Sequence, residues 1–585
     1  MSLDTHKISY YISKAKSLNV DGFEKKIRIA LLCSFTVNGL EETLRVLCFQ
    51  NKINCATYVA NYNQYNQEIL DKNSNLYKFK PNITFLILDT RSILGDLFFS
   101  PYIISAEKRK EYVKNKTDEI QELVNLFVQN SKSKIIISNF GVPTHSSYGI
   151  CETKADFGLQ EMVTKLNENL ISNFKNEALV YFYNFNQFVT KFGEQNIFDY
   201  RQYFLGDIKI STKYIPTFAN ELMSYVKPVL GLNKKCIVLD LDNTLWKGIV
   251  GEDGYNGINL GETSSGKAFV EFQKNLLSLH QRGIILAINS KNNVDDAMEV
   301  IKKHPNMILR EENFACMKIN WNDKISNMQE IADELNIGLE SMVFFDDDRV
   351  NRELMRFAMP EVLTVEFPDD PSQFSMMLSN LNDFNVLKIT DEDSNRGEMY
   401  LQQRKRTELK NKTKNMDDFL NHLNIKVKIK KANGFTVPRI SQLTLKTNQF
   451  NLTTKRYQEE DIQNFVKSPD KIVECAHITD KFGDSGITGA YIINKDNDRE
   501  WSIDTFLLSC RIMGRGIEDG MLDHIIHQAE KDGITRIKAN YNPTKKNISI
   551  ENFLPEFGFK KENDSWYYYI DRKAKKPKHL EVIVE

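Results

Sequence analysis

Residues 234–254 read KKCIVLDLDNTLWKGIVGEDG, an apolar, β-branched run that ends on two acids one residue apart, Asp240 and Asp242, followed by Asn243 and Thr244. Burying a carboxylate is costly unless a cation or hydrogen-bond donors compensate it. The pair therefore predicts a cation, a phosphate, or both beside the mouth of a buried strand. In open α/β sheets that mouth, the carboxyl end of the strands, is where ligands bind.

Downstream, GIILAINS, NMILR, SMVFFDDD and VLTVEF repeat the short apolar pattern with helical stretches between them. Strands alternating with helices predict a parallel sheet covered on both faces. Three further polar features fall where such strands run out: Ser290 after IILAIN, Lys324 in NWNDK, and Asp346, Asp347 and Asp348 after VFF. One of the three aspartates is expected to cap the next helix. The intervals from Asp240 to Ser290, Lys324 and Asp347 are 50, 34 and 23 residues in turn. The strands and helices of the fold fill these intervals, which leaves no room for an inserted cap domain and opens the site to large partners.

Upstream, IRIALLC, ITFLILD, KIIISNF and ALVYFYNF alternate with amphipathic stretches such as TDEIQELVNLFVQ. They predict an earlier α/β domain over 1–230, before the central one at 231–385. Residues 386–425 are highly charged with scattered apolar positions and read as an exposed linking helix. Beyond it, 426–585 combines alternating strands with a glycine-bearing turn before a helix. A length of 585 residues suits several domains.

A net charge of -1 provides no basic footprint, so nucleic acid is not an expected partner. The N-terminus lacks a basic segment followed by an apolar one, and no apolar run approaches the roughly 18 residues that span a bilayer. A cytoplasmic protein without a membrane partner is the expectation. The eight cysteines are scattered, with no Cys-x-x-Cys, and predict reduced core thiols.

The ordered set Asp240-x-Asp242-x-Thr244, Ser290, Lys324 and Asp346-Asp347 resembles the haloacid dehalogenase superfamily of phosphotransferases over about residues 231–370. The resemblance implies Asp240 as the nucleophile that forms an aspartyl-phosphate. It implies Asp242 as the acid and base for the leaving group and for water. Ser290 and Lys324 would hold the phosphoryl oxygens. Mg2+ would be bound by Asp240, the Asp242 backbone carbonyl and Asp347, with Asp346 close behind.

A narrower resemblance rests on DLDNTLWKGIVGEDG, INSKNN, INWNDKISNMQEIADELNIGLESMVFFDDD and KTNQFNLTTKRY. These motifs are similar to the FkbH-like branch of the uncapped, type IIIC division. Members of that branch imply transfer of a glyceryl unit from 1,3-bisphosphoglycerate, a small phosphorylated substrate, to the phosphopantetheine thiol of an acyl carrier protein. Here Leu241 stands between the two aspartates and cannot act as a nucleophile, so an enzyme thiol would come from elsewhere. Cys316 is the nearest in sequence to the Lys324 motif, and Cys236 lies within the strand.

In the last domain, FLLSCRIMGRGIEDG passes from a strand through Arg511, Gly514, Arg515 and Gly516 into a helix. Such a turn exposes backbone N–H groups that suit a pyrophosphate. Together with ITRIKANYNPTKKNISIENFLPEFGF, it resembles the Gcn5-related acetyltransferase (GNAT) fold, an α+β domain, and implies coenzyme A or carrier-bound phosphopantetheine as ligand. Tyr541, Asn542 and Asn547 are candidates for a base by residue type only, whereas His477 and Asp480 read as ordinary strand and turn residues. In the first domain, Ser34 and Asn139 after strands resemble the SGNH hydrolases. No histidine lies between His145 and His280, however, so the expected unit is SGNH-like or flavodoxin-like and serves carrier docking, dimerisation or positioning.

The leading expectation is thus a magnesium-dependent phosphatase or phosphotransferase that loads a carrier protein. Its rivals are a bifunctional phosphatase and N-acetyltransferase acting on a sugar-like metabolite, and a scaffold with relic sites.

Overall fold

The computed structural model describes residues 7–389, 415–570 and 579–585, together with 399, 400, 402, 403, 405, 406, 409, 410, 413 and 577. Much of the expected linking helix at 386–425 lies outside the described residues; within that range, helix Met416–Leu423 starts at its own cap, Asn415, and is not wholly exposed, because Phe419, Leu420 and Leu423 are buried in the C-terminal core. The chain divides into two units, 2–230 and 231–585.

The first unit carries five strands, β1 (Lys25–Cys33), β2 (Ile53–Val59), β3 (Ile83–Ile87), β4 (Lys134–Ser138) and β5 (Val180–Tyr183). All pair in parallel, in the order 2-1-3-4-5. That order is the flavodoxin-like doubly wound arrangement. Burial of every residue of β3 and β4 explains why both read as continuous apolar runs. Ser34 is committed within the fold, where its Oγ accepts the Asp89 N–H at 2.8 Å. Asn139 bonds Asn184 and the Asn186 N–H. Nothing in these contacts sets up Ser34 as a nucleophile.

In the second unit, β6 (Cys236–Leu239), β7 (Ile285–Ser290), β8 (Phe314–Ile319), β9 (Met342–Phe345) and β10 (Leu363–Thr364) form a parallel sheet in the order 10-9-6-7-8. β6 therefore lies at the centre and carries the acid pair out of its carboxyl end. One expected strand is displaced, because NMILR is not extended and the edge strand is FACMKI instead. The buried Gln273 side chain takes the N–H groups of Ile308 and Leu309 at 2.9 and 3.1 Å, donors that a strand would have given to a neighbour. Between β6 and β7 lie only the short helix Val250–Asp253 and helix Ser264–Gln281.

The remainder builds a nine-stranded sheet from β11 (Ile425–Lys431), β12 (Phe450–Asn451), β13 (Lys471–Asp480), β14 (Gly483–Asn497), β15 (Glu500–Leu508), β16 (Arg536–Ala539), β17 (Lys560–Glu562), β18 (Ser565–Tyr569) and β19 (Leu580–Val584). β15 runs parallel to β16 only from Glu500 to Ile503. Past that point β12 closes onto β15, pairing Phe450 with Leu508 and Asn451 with Leu507. The KTNQFNLTTKRY stretch thus fills the split between two diverging strands. Among the described residues, no helix is long and apolar enough to cross a membrane.

Candidate active site

Asp240 follows β6, and its N–H is held by the Phe345 carbonyl at 3.0 Å. From there the chain turns sharply, with Asn243 in the left-handed region, which asparagine tolerates better than most residues. The turn leaves Asp240 and Asp242 beside the ends of β7 and β9. Lys324 opens helix Lys324–Leu335, whose first turn is capped by Asp323. Buried Asn289 and Asn327 bond each other, and Asn289 also holds the Lys324 carbonyl at 2.8 Å. These contacts fix the helix start against β7.

The Lys324 ammonium consequently sits 2.7 Å from Asp240 Oδ2 and 2.6 Å from Asp346 Oδ2. Single carboxylate oxygens of Asp240, Asp346 and Asp347 lie within 4.8 Å of one another. Ser290, the last residue of β7, is buried at the same edge. Asp348 caps helix Arg349–Ala358 through the Val350 N–H, so the triple aspartate splits into two site acids and one cap.

Asp242 is separately restrained. Its Oδ1 accepts from Trp246 Nε1 at 2.9 Å and the Val250 N–H at 3.1 Å, and its Oδ2 accepts from Asn292 Nδ2 at 2.8 Å. Arg352, buried behind the acids, donates to the carbonyls of Asp346 and Asp347 at 2.9 and 2.6 Å. Asn292, Trp246 and Arg352 escaped the sequence reading. Asn292 and Arg352 lie within or just after stretches whose neighbours drew attention, but nothing local announces what they touch.

Charge crowding shows in the titration of these groups. Burial, followed by the charge of Asp240, raises Asp346 to about 6. Burial, followed by the charges of Asp240 and Asp346, raises Asp347 to about 7. Asp242 is also raised by burial, against the hydrogen bonds it receives. Burial opposes the charge on Lys324, yet the two flanking carboxylates outweigh it and raise its pKa. Asp240 Oδ1 is buried without a hydrogen-bond partner. Hard oxygen donors converging from three aspartates, one of them orphaned, suit a divalent cation such as Mg2+.

The expected thiols are not near this chemistry in character. Cys316 and Cys236 are buried in the core, and desolvation raises both. In the turn ahead of helix Ile517–Lys531, Arg515 Nη2 donates to Gln403 and to the Arg511 carbonyl at 2.7 Å each, while its buried Nη1 has no hydrogen-bond partner among the described residues. Gly514 and Gly516 have φ of 72° and 73°, and the Gly514 N–H donates to Glu518 at 3.3 Å. Arg511 reaches Met399 Sδ at 2.7 Å. Asn547 is buried and ties the Asn451 and Asn542 carbonyls together, while Tyr541 bonds the Asn547 carbonyl. His477 pairs with Asp484, and Asp480 with Arg406.

No curated protein sequence matches the chain. Two further likenesses to solved structures are too slight to carry an argument. The ribosomal-protein-S18-alanine N-acetyltransferase from Escherichia coli is 12% identical with a TM-score of 0.21, over 26% of this chain and 97% of that one. Rv2747 from Mycobacterium tuberculosis, in complex with CoA and NLQ, is 18% identical with a TM-score of 0.19, over 23% and 72%. The N-terminal part of BF1531 from Bacteroides fragilis, which contains a phosphatase domain complexed with Mg, is 28% identical with a TM-score of 0.60, over 66% of this chain and 100% of that one. Residues 28–227 match the family described as FkbH, N-terminal domain, so the chain is similar to FkbH proteins in its first unit and to a magnesium-bound phosphatase protein over a wider span.

Proposed function

We propose that this chain is a magnesium-dependent phosphatase or phosphotransferase of the uncapped haloacid dehalogenase type, working through a phosphorylated Asp240. The observation that carries the reading is the convergence of Asp240, Asp346 and Asp347 around the Lys324 ammonium, with one Asp240 oxygen left unpaired. The magnesium-bound phosphatase relative supports it. Asp240, Asp346 and Asp347 would hold the ion, which when bound supplies positive charge for the phosphoryl oxygens.

Asp240 attacks phosphorus as the bond to the leaving oxygen breaks. Asp242 gives that oxygen its proton, a task suited to a carboxyl whose pKa burial has raised. Lys324 and Ser290 hold the phosphoryl group. Water then attacks the aspartyl-phosphate and passes its proton to Asp242, which restores both carboxyl groups. Where an acceptor thiol on an acyl carrier protein is present, the substrate is a phosphorylated three-carbon acid such as 1,3-bisphosphoglycerate: the thiol attacks the C1 carbonyl and expels the C1 phosphate, the phosphoryl steps at Asp240 remove the C3 phosphate, and the product is a glyceryl thioester. The FkbH match supports that assignment. The flavodoxin-like unit serves docking, and the C-terminal, GNAT-like sheet faces the phosphopantetheine arm.

The test is incubation with Mg2+, 1,3-bisphosphoglycerate and a carrier protein, followed by intact-mass measurement, with Asp240→Asn as control. A glyceryl mass gain on the carrier, absent in the control, is the expected result. Phosphate release with an unchanged carrier would reduce the assignment to a plain phosphatase. No release at all would remove it.

A further inference from the structure

Only the helices Val250–Asp253 and Ser264–Gln281 lie between β6 and β7, so no inserted domain covers the acid pair. Recognition of whatever carries the phosphate therefore falls to the loops at the carboxyl edge of the sheet. Three of them each present an exposed apolar side chain: Ile249 after β6, Val294 after β7 and Trp321 after β8, with 41%, 53% and 71% of their surfaces in water. These strands are neighbours in the order 6-7-8.

Single exposed apolar residues are ordinary on a protein surface. These three, however, gather around one carboxyl group. Ile249 precedes Val250, whose N–H holds Asp242 Oδ1, and Val294 lies two residues after Asn292, whose amide holds Asp242 Oδ2. Trp321 Nε1 donates to Asn293 Oδ1 at 3.2 Å. Lys247, Lys291 and Asn322 in the same loops are exposed as well, but as polar groups they are matched by water.

The loop that carries Trp321 is fixed. The Asn320 N–H donates to the Ser290 carbonyl at 3.1 Å, and Asn320 Oδ1 accepts from the Asn322 N–H and from Asn327 Nδ2 at 3.0 Å each. With its N–H engaged, the indole is restrained, and its apolar surface is what faces water. A ring already held in place loses little side-chain entropy when a ligand covers it. Asp242 gives its proton to the leaving oxygen, so the body attached to that oxygen lies on the Asp242 side, where the three side chains are. Covering them removes apolar surface from water, a gain that a small polar ester cannot supply.

We infer that Trp321, with Ile249 and Val294 beside it, is the specificity-determining residue for the leaving group and favours phosphate esters carried on an extended apolar chain over small ones. The inference rests on the phosphatase reading of Asp240 and Asp242. Where a carrier protein is the partner, the chain is the arm that holds the three-carbon acid. Trp321 touches the leaving group and takes no part in bond breaking.

The test compares hexyl phosphate with methyl phosphate, which differ in chain length and hardly in leaving-group basicity, on the full chain with Mg2+. The parent protein should turn over the hexyl ester with a kcat/KM about tenfold or more above that for the methyl ester, mostly through KM. Trp321→Ala should shrink that ratio by about tenfold, by raising KM for the hexyl ester. Trp321→Phe keeps a ring but loses the bond to Asn293, and should retain most of the ratio. Hexylphosphonate, which is not hydrolysed, gives a second readout: by calorimetry it should bind the parent more tightly than methylphosphonate does, and Trp321→Ala should narrow the difference. Thermal unfolding checks that the variants are folded, and the preference of the parent itself tests the inference even where a variant fails to fold.

A parent that hydrolyses both esters without preference, or a folded Trp321→Ala with the parental ratio, would overturn the role of Trp321 and leave the phosphatase reading standing. Equal slowing of both esters in both variants would also overturn it, because Trp321 would then act by positioning Asn293. No hydrolysis of either ester would instead remove the phosphatase reading, and the role of Trp321 with it.

Discussion

Asn292 and Asp347 show how single residues set the chemistry of the site. Asn292 donates to Asp242 Oδ2, so in the proposed mechanism it positions the acid. Its hydrogen bond also holds the Asp242 pKa down against burial. Asn292→Ala should lower kcat by about tenfold to a hundredfold, in the range typical of outer supporting contacts, with little change in KM. It should also move the limb of the pH–rate profile that reports Asp242 to higher pH. A profile that falls without shifting would argue against the assignment.

Asp347 yields a second prediction at this scale. An acid whose folded pKa is raised to about 7 retains its proton while the unfolded chain, near the ordinary value of about 3.9, has lost it. The unfolded state then binds fewer protons, so this group makes the protein less stable as pH rises from about 4 to about 7, after which the penalty is constant. In EDTA, Asp347→Asn should therefore raise the melting temperature more at pH 7.5 than at pH 4.5. Added Mg2+ should reverse the order by stabilising the parent protein, as differential scanning calorimetry would show.

At the scale of elements, the central sheet depends on side chains that replace backbone partners. Gln273, on helix Ser264–Gln281, donates to the Leu245 carbonyl at 2.7 Å and accepts from Ile308 and Leu309. It thereby joins the turn after the acid pair to the loop ahead of β8. Gln273→Ala leaves buried backbone groups unpaired, at about 1–3 kcal/mol for each such group. Urea unfolding should show a lower midpoint with an unchanged slope. The same contact explains the displaced strand: NMILR has strand-like composition, but its N–H groups are taken by a glutamine more than thirty residues upstream. By contrast, β6, β7 and β9 were legible because both sheet faces are buried and the apolar run is continuous.

At the scale of the whole molecule, each unit has hydrophobic clusters of its own among the described residues. One gathers β1, β3 and β4 with their helices, and those of the central and C-terminal sheets lie wholly within 231–585. All the residues assigned to phosphoryl transfer fall between Asp240 and Arg352. Residues 231–585 produced alone should therefore fold and release phosphate from a small aryl phosphate with a kcat/KM close to that of the full chain. Loss of that activity despite a native-like melting transition would give the first unit a role in catalysis. Within 231–585, the two sheets meet through Asn336 and Cys510, where Asn336 Nδ2 donates to the Cys510 carbonyl at 2.5 Å and the thiol donates to the Asn336 carbonyl at 2.8 Å.

The amino-acid order by itself determined the alternation of strands and helices, the position of the acid pair at the end of an apolar run, and the types of residue that such chemistry needs. These are properties of neighbouring residues, written in local periodicity and in the cost of burying charge. Only the tertiary structure decided that Lys324 lies between Asp240 and Asp346, that Asn292 restrains Asp242, that Gln273 withholds a strand, and that β12 closes the gap beside β15. Each of these contacts joins residues more than twenty positions apart. Their partners are chosen by chain closure and packing, which no local pattern records.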